Sequence, residues 1–341
     1  MKITTILHAM SVSIGLIGGG NITDTHARAV RAAGADVAAV YGTNIERVRR
    51  LGREHGGVAY DDLDAFLAHR PMDIVVIGSP SGLHAAHGIA AVRRGMHVLV
   101  EKPIDIKTER AEALIAEAEK AGVKLAVIFQ DRLKAGIRRM KELVDGGALG
   151  TPILADARVK WYRPPEYYAN SRWRGTRSLD GGAALINQGI HTMDLLLWLF
   201  GKVIRVQAAM RTRLHTIEAE DTLVALLEFE SGALGVLQAA TSVYPGYPRR
   251  IELTGSEGTM ILEHDRLIEA RLRNGDGASI LTGSMDENPS SSSPVVSDHR
   301  AHQAVLEDFI RAIETNSHPA CDGREGLRGL ALIESIYKNA M

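Results

Sequence analysis

Short apolar runs alternate with amphipathic stretches along the first third of the chain. The runs are rich in β-branched residues and cover residues 12–17, 37–41, 74–77, 98–100 and 125–128. Between them, apolar positions recur at helical spacing over residues 26–33, 45–54, 62–69, 83–94 and 109–121. This strand–helix–strand rhythm predicts βαβ units with right-handed crossovers and a doubly wound parallel sheet. We therefore predict an α/β domain over residues 11–132.

The pattern changes after about residue 150, where strand-like runs follow one another. These runs cover residues 153–161, 203–213, 222–229, 233–241, 249–254, 259–263 and 267–272. One helical stretch interrupts them at residues 183–199, and two more close the chain at residues 302–314 and 323–338. Strands joined by turns favour a mostly antiparallel sheet. Residues 133–341 are therefore predicted to form an α+β domain with one helix packed on an open sheet.

Two segments belong to neither pattern. Residues 1–10 contain one lysine and a short apolar run, and we interpret them as an extension, because a signal peptide needs a longer apolar stretch. Residues 273–300 are rich in Gly, Ser, Asn and Asp and predict a long loop.

Composition is that of an ordinary globular protein. The chain has 341 residues, of which 45% are hydrophobic and 24% charged, and its net charge is −1. Without a basic excess we expect neither nucleic acid nor an anionic membrane as a partner, and no run reaches the ~18 apolar residues of a membrane span. The single cysteine, Cys321, cannot form an internal disulfide, so a reducing compartment, the cytoplasm, is expected.

A glycine-rich turn, Gly18-Gly19-Gly20, directly follows the first predicted strand and precedes a helix. Gly18 permits the tight turn, and Gly20 lets the backbone approach a pyrophosphate at the positive end of the helix. The third position of the pattern is Thr23 rather than Gly or Ala, which predicts slightly looser packing between helix and strand. The surrounding elements favour dinucleotide binding over an ordinary glycine turn.

The end of the second predicted strand favours NADP over NAD as the cofactor. An NAD site usually carries an acidic residue there, whereas this chain has Gly42, Thr43 and Asn44, followed by Arg47. A guanidinium attracts a 2′-phosphate that a carboxylate would repel. The alternative is that Arg47 is a solvated helix residue whose field is weakened by Glu46, with NAD as the cofactor.

Lys102 follows the fourth predicted strand in the sequence Glu101-Lys102-Pro103. Parallel sheets bind ligands beyond the carboxyl ends of their strands, so Lys102 is expected at the cofactor edge, where Pro103 holds it extended. Burial there would lower the pKa of Lys102 towards the range that suits proton transfer. From position alone, a surface lysine before a loop is an equal alternative.

Asn187 and His191 lie four residues apart in the helical stretch at residues 183–199, and are predicted to share one face. In that position they could hold a substrate hydroxyl. Periodicity alone favours the alternative of a core histidine bonded to backbone or to Asp194, because residues 195–199 are apolar. The sequence has no HxxxH pattern and no cysteine cluster, so no metal site is expected.

Taken together, these residues resemble the Gfo/Idh/MocA family of oxidoreductases, which includes glucose–fructose oxidoreductase and inositol dehydrogenase. The resemblance spans nearly the whole chain, with motifs at residues 14–22, 79–84, 101–103, 173–175, 189–194 and 322–323. Each motif is short, but their order and spacing are specific. The resemblance implies a Rossmann domain followed by an α/β domain whose open sheet packs in homodimers or homotetramers.

The resemblance also implies roles for single residues. It makes Lys102 catalytic and assigns His191 to substrate binding or proton transfer. Inositol dehydrogenase has an Asp at the position of Asn187, which can bind a hydroxyl but cannot take a proton. Trp173 and Arg174 resemble a pair near the nicotinamide, and the turn at residues 42–47 is similar to that of the NADP-using anhydrofructose reductases. The cofactor-binding residues implied are Gly18, Gly20, Asn21, Ile22, Thr43, Asn44, Arg47, Ser79, Pro80, His84, Glu101, Lys102, Trp173 and Arg174.

Aromatic and arginine side chains suit a polyol with apolar ring faces, and several of them precede Trp173 closely. Packing within a loop is the alternative for these side chains. The substrate-binding residues predicted are Tyr162, Arg163, Tyr168, Asn187 and His191.

The sequence thus predicts hydride transfer between NAD(P) and a secondary alcohol or ketone of a sugar, polyol or sugar derivative. Lys102 would be the general acid/base, with His191 and Asn187 orienting the substrate. Two other functions stay open: a dinucleotide sensor without catalysis, and a lyase or glycosidase that oxidises its substrate transiently with a tightly held cofactor. A trans-dihydrodiol or a tetrapyrrole also stays open as the substrate.

Overall fold

The computed structural model describes residues 11–273, 275 and 298–340. The extension predicted at residues 1–10 and nearly all of the loop predicted at residues 273–300 lie outside these described residues. Two sheets organise the described chain, one in each half, and residues of both halves line one large cleft.

Six strands in the first half of the described chain form a parallel sheet. They are β1 (Ser13–Ile17), β2 (Asp36–Tyr41), β3 (Val58–Tyr60), β4 (Ile74–Ile77), β5 (His97–Val100) and β6 (Leu125–Val127). Their order, β3-β2-β1-β4-β5-β6, reverses direction at β1 and β4, as in a Rossmann domain. The predicted parallel sheet is confirmed. The edge strand β3 was missed because three residues are too few to form a recognisable run.

Helices connect these strands and cover both faces of the sheet. They are α1 (Asn21–Ala32), α2 (Ile45–His55), α3 (Leu63–Ala68), α4 (His84–Val92) and α5 (Thr108–Ala121). Helix α1 starts immediately after the glycine turn rather than at residue 26 as predicted, because Gly20 is its N-cap. Apolar residues are buried on both faces of the sheet, which a parallel sheet requires.

The second sheet has seven strands within the described residues. They are β7 (Pro152–Lys160), β8 (Val203–Arg211), β9 (Thr222–Phe229), β10 (Leu234–Ala240), β11 (Arg250–Gly255), β12 (Gly258–Glu263) and β13 (Arg266–Leu272). Their order is β13-β12-β11-β7-β10-β9-β8, and every neighbouring pair among them is antiparallel except β7 and β10. The predicted open, mostly antiparallel sheet is confirmed.

More helices pack on this sheet than the single one predicted. The helices of the second half are α6 (Ala135–Asp145), α7 (Pro165–Ala169), α8 (Ile190–Phe200), α9 (Arg300–Glu314) and α10 (Gly323–Lys338). Helix α6 contacts β12 and β13, α8 contacts β7 and β11, and α10 contacts β8. The prediction of one helix on the sheet is therefore wrong. Helix α6 was missed because only a short 3₁₀ turn, Gln130–Leu133, separates it from β6, and this turn has no distinct sequence signal.

The two closing helices pack back onto the first sheet. Val305, Leu306 and Phe309 of α9 are buried in one cluster with Ile14 and Leu16 of β1. Helix α10 contacts α5 and β6. Helices from the end of the chain therefore complete the core of the first sheet, across the boundary predicted at residue 132.

One face of the second sheet is apolar and exposed. Leu154 of β7, Val224 and Leu226 of β9, and Leu234 of β10 are 45% to 57% exposed. Leu234 pairs directly with Leu154, and β10 lies between β7 and β9, so these four side chains adjoin. We call this surface the outer apolar face. Among the described residues, no helix combines the length and the apolar composition needed to cross a membrane.

Candidate active site

A cleft of about 2130 Å³ opens beside the carboxyl ends of β1 and β4, where the strand order of the first sheet reverses. Open parallel sheets bind ligands at such a point. Gly18 after β1, Gly78 after β4 and Glu101 after β5 line the cleft on one side. His191 and Arg249 line it from the second half of the chain. The cleft therefore joins the two halves.

The glycine turn after β1 has the shape that a dinucleotide requires. Gly18 has a φ of 140°, which favours glycine, and a Cβ on it would lie 2.5 Å from Thr23 Oγ1 and 2.7 Å from the carbonyl oxygen of Gly78. A Cβ on Gly20 would meet nothing within 4 Å, so this part of the turn is open. Tight packing behind Gly18 and open space at Gly20 fit a pyrophosphate lying on the turn.

The start of α1 completes this cradle. Asn21 and Ile22 line the cleft, and the N–H groups of a first helical turn lack carbonyl partners within the helix. The looser packing predicted at Thr23 is wrong: Thr23 is 1% exposed, and its hydroxyl has no hydrogen-bond partner among the described residues. The small branched side chain fills the space that a third glycine would leave.

The end of β2 carries no acidic side chain at the cleft. Thr43 and Asn44 line the cleft, and the side-chain oxygen of Asn44 caps α2 by accepting from the N–H of Arg47 at 3.1 Å. Glu46 pairs with Arg49 at 2.9 Å. The guanidinium of Arg47, which also lines the cleft, has no ion-pair partner in the part of the chain that the structure describes. Glu46 is therefore engaged by Arg49 and does not compensate the charge of Arg47 at the cleft.

His84 ties together the turns that follow β4 and β5. Its Nδ1 lies 2.7 Å from the carbonyl oxygen of Pro103, and its Nε2 lies 2.8 Å from that of Ser79. Burial lowers the pKa of His84, although both carbonyl oxygens raise it. Ser79, Pro80 and His84 all line the cleft, but the ring of His84 is engaged in holding the backbone around it.

Lys102 lies in the turn after β5, and its peptide bond to Pro103 is cis. Its side chain extends towards the second half of the protein. Its Nζ donates to the backbone carbonyl oxygen of Asn187 at 2.9 Å. Burial lowers the pKa of Lys102, while the carboxylates of Glu101 and Asp180 oppose that shift. The neutral amine is therefore easier to form than on an exposed lysine, as proton transfer requires.

Glu101 is buried behind Lys102, between two histidines. Its Oε1 lies 2.9 Å from Nε2 of His26 on α1 and 3.6 Å from Nε2 of His302 on α9. Burial raises the pKa of Glu101, but the two histidines outweigh burial and hold that pKa well below its usual range. The carboxylate thus connects α1, α9 and the turn that carries Lys102.

The helical stretch predicted at residues 183–199 has two parts. A π-helical turn, Ala184–Gly189, precedes α8, and such turns are frequent at functional sites. Asn187 and His191 line the cleft from this junction. Nδ1 of His191 has no hydrogen-bond partner among the described residues, and Asp194 instead bonds Arg132 at 2.6 and 2.8 Å. His191 is therefore not a core histidine satisfied by Asp194.

His191 is a neutral imidazole at physiological pH. Burial lowers its pKa to about 3, although the nearby Asp131 raises it. Oδ2 of Asp131 lies 3.5 Å from Nδ1 of His191. Arg249, at 2.7 Å, and Lys134, at 3.0 Å, compensate the charge of Asp131. His191 can therefore offer a substrate one hydrogen-bond donor or acceptor without carrying charge.

Arginine and aromatic side chains form another part of the lining. The guanidinium of Arg174 lies 4.3 Å from the ring centre of Tyr167 and 5.6 Å from that of Trp173. Arg163 is 2% exposed, and its Nη2 donates to Oε1 of Gln188 at 2.8 Å. Trp173, Arg174 and Arg163 all line the cleft. These planar groups give the cleft a wall suited to flat or ring-shaped ligands.

Two of the residues predicted to bind substrate do not line the cleft. The ring of Tyr162 contacts that of Tyr244 at 5.3 Å. Tyr168 is 5% exposed, and its hydroxyl lies 3.0 Å from Oγ1 of Thr241. Successive side chains in an extended segment point to opposite sides. Because Arg163 lines the cleft, the side chain of Tyr162 points away from it. The structure thus places both tyrosines outside the cleft lining, packed in the second half of the protein.

Several lining residues were not predicted from the sequence. They are Gln130, Asp131, Lys134, Gln188, Arg249, His264, Asp265, Arg266 and His302. Gln130 and Asp131 follow β6 directly, so the strand-end rule that placed Lys102 would also have found them. Arg249 and Asp265 flank β11 and β13, where no sequence pattern distinguishes them from other loop residues.

Both halves of the chain match known families. Residues 12–129 match the family described as "Oxidoreductase family, NAD-binding Rossmann fold". Residues 137–261 match the "GFO/IDH/MocA C-terminal domain". The first match includes the glycine turn and Lys102, and the second includes Asn187 and His191.

Relatives of known name extend over nearly the whole chain. D-apiose dehydrogenase from Paraburkholderia graminis is 29% identical over 95% of this chain and 86% of its own. The 1,5-anhydro-D-fructose reductase from Ensifer adhaerens is 26% identical over 96% and 95%. The crystal structure of the WlbA dehydrogenase from Bordetella pertussis, in complex with NADH and UDP-GlcNAcA, is 30% identical, covers 97% of both chains and superposes with a TM-score of 0.85. The predicted resemblance is confirmed, and the chain belongs to the GFO/IDH/MocA family of oxidoreductases with an NAD-binding Rossmann fold.

Proposed function

We propose that this oxidoreductase transfers a hydride between a nicotinamide dinucleotide and a secondary alcohol or ketone of a sugar, polyol or sugar derivative. One observation carries the proposal. Lys102, with a lowered pKa, extends from the cofactor edge of the first sheet to the backbone of Asn187, in the same cleft as the neutral His191. The names of two relatives, a D-apiose dehydrogenase and a 1,5-anhydro-D-fructose reductase, support a sugar-like substrate.

Each of these side chains has a distinct task in the proposal. Lys102, in its neutral form, accepts the proton of a substrate hydroxyl at Nζ, and in the reverse direction it donates a proton to a ketone oxygen. His191 holds the same oxygen with a single hydrogen bond. Asn187 acts through its backbone carbonyl, which orients Lys102. A bound nicotinamide supplies the hydride chemistry, and the protein supplies position and charge.

We infer that NADP is the preferred cofactor. Thr43 and Asn44 at the end of β2 leave room for a 2′-phosphate, and Arg47 supplies a positive charge that no carboxylate in the described chain pairs with. A carboxylate at this strand end would instead favour the free ribose hydroxyls of NAD. NADH is the cofactor named in the WlbA complex, so the test must distinguish NADP from NAD.

We also propose that the protein assembles as a homodimer or homotetramer through the outer apolar face, in the cytoplasm. Contiguous exposed apolar surface usually marks an interface. The four side chains of this face lie on adjacent strands of one open sheet, and a two-fold axis would place the same patch of a second copy against them. The single cysteine, which is buried, agrees with a reducing compartment.

A substrate screen tests the proposed function. The purified protein is mixed with sugars, polyols and their derivatives in the presence of NAD⁺ or NADP⁺, and reduced nicotinamide is followed by absorbance. We expect reduction with at least one sugar or polyol, and a higher kcat/KM with NADP⁺. A cofactor that binds without any turnover would indicate a sensor, and a product formed without net reduced cofactor would indicate a lyase or glycosidase. Either result would contradict the proposal.

A further inference from the structure

Asp180 is a buried carboxylate behind the cleft to which neither the sequence nor the proposed mechanism gives a role. It is 1% exposed and directly precedes the Gly181-Gly182 pair that leads into the π-helical turn. Its Oδ2 accepts from the N–H of Gly175 at 2.8 Å, and its Oδ1 accepts from Nδ2 of Asn187 at 2.7 Å. The carboxylate therefore joins the loop of Trp173 to the turn that holds Lys102.

A directed chain of hydrogen bonds ends on this carboxylate. Nη2 of Arg163 donates to Oε1 of Gln188 at 2.8 Å, and Nε2 of Gln188 donates to Oδ1 of Asn187 at 3.1 Å. Nδ2 of Asn187 then donates to Asp180. Because a guanidinium can only donate, the orientation of both amides is fixed along the chain. The last group must be an acceptor, which a carboxylate satisfies and a carboxamide NH₂ does not.

The charge of the same carboxylate also acts on Lys102. Nζ of Lys102 is bound by the carbonyl oxygen of Asn187, whose side chain Asp180 holds. Neither Asn187 nor the neutral His191 can supply negative charge at this place. Two further carboxylates act on Lys102, but His26 and His302 contact Glu101, and Arg249 and Lys134 engage Asp131. Asp180 is thus a negative group that acts on Lys102 through Asn187.

We propose that Asp180 is a positioning residue for the reaction. It fixes Asn187 and Lys102 on one side and the Trp173–Gly175 segment on the other, and its negative charge adds to that of Glu101 in stabilising the protonated form of Lys102. This inference rests on the proposed function for the identity of the reaction. Several charged or titratable groups interact electrostatically with Asp180. They are Lys102, Arg174, Tyr167, Tyr168 and Tyr337.

The ionisation of Asp180 falls in the working pH range. Burial raises the pKa of Asp180 to about 7. The N–H of Gly175, the amide of Asn187 and the charge of Lys102 oppose this shift, because each of them lowers the pKa. Above that pH the carboxylate is the acceptor that the chain of amides requires. Below it, the proton competes with Nδ2 of Asn187. We therefore expect a limb near pH 7 in the pH profile of kcat.

The first test replaces Asp180 by its uncharged isostere. In Asp180→Asn we expect kcat to fall on the order of 10- to 100-fold, because misplacement of a catalytic group costs this much. In the same variant the limb near pH 7 should disappear. Glu218→Gln is the matched control, since Glu218 accepts an N–H of Arg177 in an exposed contact of the same region. A wild-type kcat and pH profile in Asp180→Asn would overturn the proposal.

The second test needs no turnover, so it separates this inference from the proposed function. The reactivity of Lys102 towards acetic anhydride is followed against pH by mass spectrometry, with the exposed Lys107 as internal reference. Loss of the negative charge should move the labelling midpoint of Lys102 to lower pH by about half a unit. An unchanged midpoint would contradict the charge assigned to Asp180, even if no substrate were found.

A reciprocal exchange keeps the test valid if the single variant folds poorly. Combining Asp180→Asn with Asn187→Asp reverses donor and acceptor, because the new amide can accept from Gly175 and donate to the new carboxylate. The exchange should raise kcat clearly above that of Asp180→Asn and return the Lys102 midpoint towards its original pH. A double variant no better than Asp180→Asn would show that Asp180 serves structure only.

Discussion

Lys102 is held by a carbonyl oxygen rather than by a carboxylate. Its Nζ donates to Asn187, while Glu101 is engaged by two histidines and Asp131 by Arg249. A direct ion pair would stabilise the ammonium form and raise the pKa of the lysine. Holding the amine through a carbonyl fixes its position while burial still lowers its pKa. The neutral amine therefore forms more easily on Lys102 than on an exposed lysine.

Lys102→Met removes the amine and keeps the apolar stem. We expect turnover to fall by ~10² to 10⁴, the usual contribution of a general acid/base, while the fluorescence of bound NADPH reports an unchanged affinity. Lys107→Met, on an exposed lysine of the same segment, should retain wild-type turnover. Near-normal kcat in Lys102→Met would remove this lysine from the proton-transfer step.

Arg47→Ala tests the choice of cofactor. A hydrogen bond to a charged group contributes about 1.5–3 kcal/mol, so KM for NADP⁺ should rise roughly 10- to 100-fold while KM for NAD⁺ stays constant. Steady-state kinetics with both cofactors measures the effect. Arg50→Ala, which removes an exposed partner of Glu54 on the same helix, serves as control. Equal changes for the two cofactors would contradict NADP preference.

Some site residues could be predicted from the sequence because strand ends converge in a parallel sheet. Gly18 and Lys102 each follow a strand of the predicted sheet, and both line the cleft. Tyr162 does not line the cleft as predicted, because composition does not reveal which side of an extended segment faces a cavity. Asp180 was missed because its partners, Gly175 and Asn187, meet it only through the fold of the loop.

At the scale of elements, the sequence predicted the strands that bury β-branched residues on both faces. It missed β3, which has three residues of which none is buried, and α7, which has five residues. Helix α6 was hidden because only Gly136, Ile137 and Met140 of its eleven residues are buried. Short elements and narrow apolar faces leave too little pattern to detect, so these parts depend on tertiary packing.

Helix α10 offers a test of element stability. The side chain of Asp322 caps it by accepting from the N–H of Glu325 at 2.9 Å, and the helix packs on elements of both halves. Asp322→Ala should lower the free energy of unfolding by about 0.5–2 kcal/mol, measured by urea denaturation. Asp322→Asn keeps a capping oxygen and should lose much less. Equal losses in the two variants would rule out the cap as the cause.

At the scale of the whole molecule, buried histidines make the folded protein sensitive to acid. Burial lowers the pKa of His26, His84 and His97, that of His87 to about 4, and that of His191 to about 3. Between these values and 6.5 the unfolded chain binds protons that the folded protein does not. Their contribution to stability is complete above pH 6.5 and is lost as the pH falls. The raised pKa of Asp180, to about 7, acts in the opposite direction between pH 7 and pH 4.

A single variant separates the contribution of one buried histidine to the pH dependence of stability from that of the carboxylates. His87→Asn should lose less free energy of unfolding between pH 7 and pH 5 than the wild type does, by on the order of 1 kcal/mol. Urea denaturation at the two pH values measures the difference. His318→Asn is the control, because the side chain of His318 is 91% exposed. The same pH dependence in His87→Asn and wild type would contradict the lowered pKa of His87.

The proposed assembly depends on the outer apolar face. Leu226→Asp places a charge on that face, and a buried unpaired charge is strongly unfavourable, so the mass measured by light scattering should fall to that of a monomer. Val58→Asp, at an exposed position on the edge of the first sheet, should leave the oligomer intact. A wild-type protein that is monomeric at micromolar concentration would refute the assembly.

The return of α9 to the first sheet has a consequence for how the chain folds during synthesis on the ribosome. The strands of the first sheet leave the exit tunnel early, but Phe309, which fills their core, and His302, which contacts Glu101, are translated only after the entire second sheet. The nascent Rossmann half therefore stays open on one face until α9 emerges. The turn of Lys102 gains its contact with His302 only after the second sheet has been translated, so the proposed proton-transfer site is assembled only once α9 has been made.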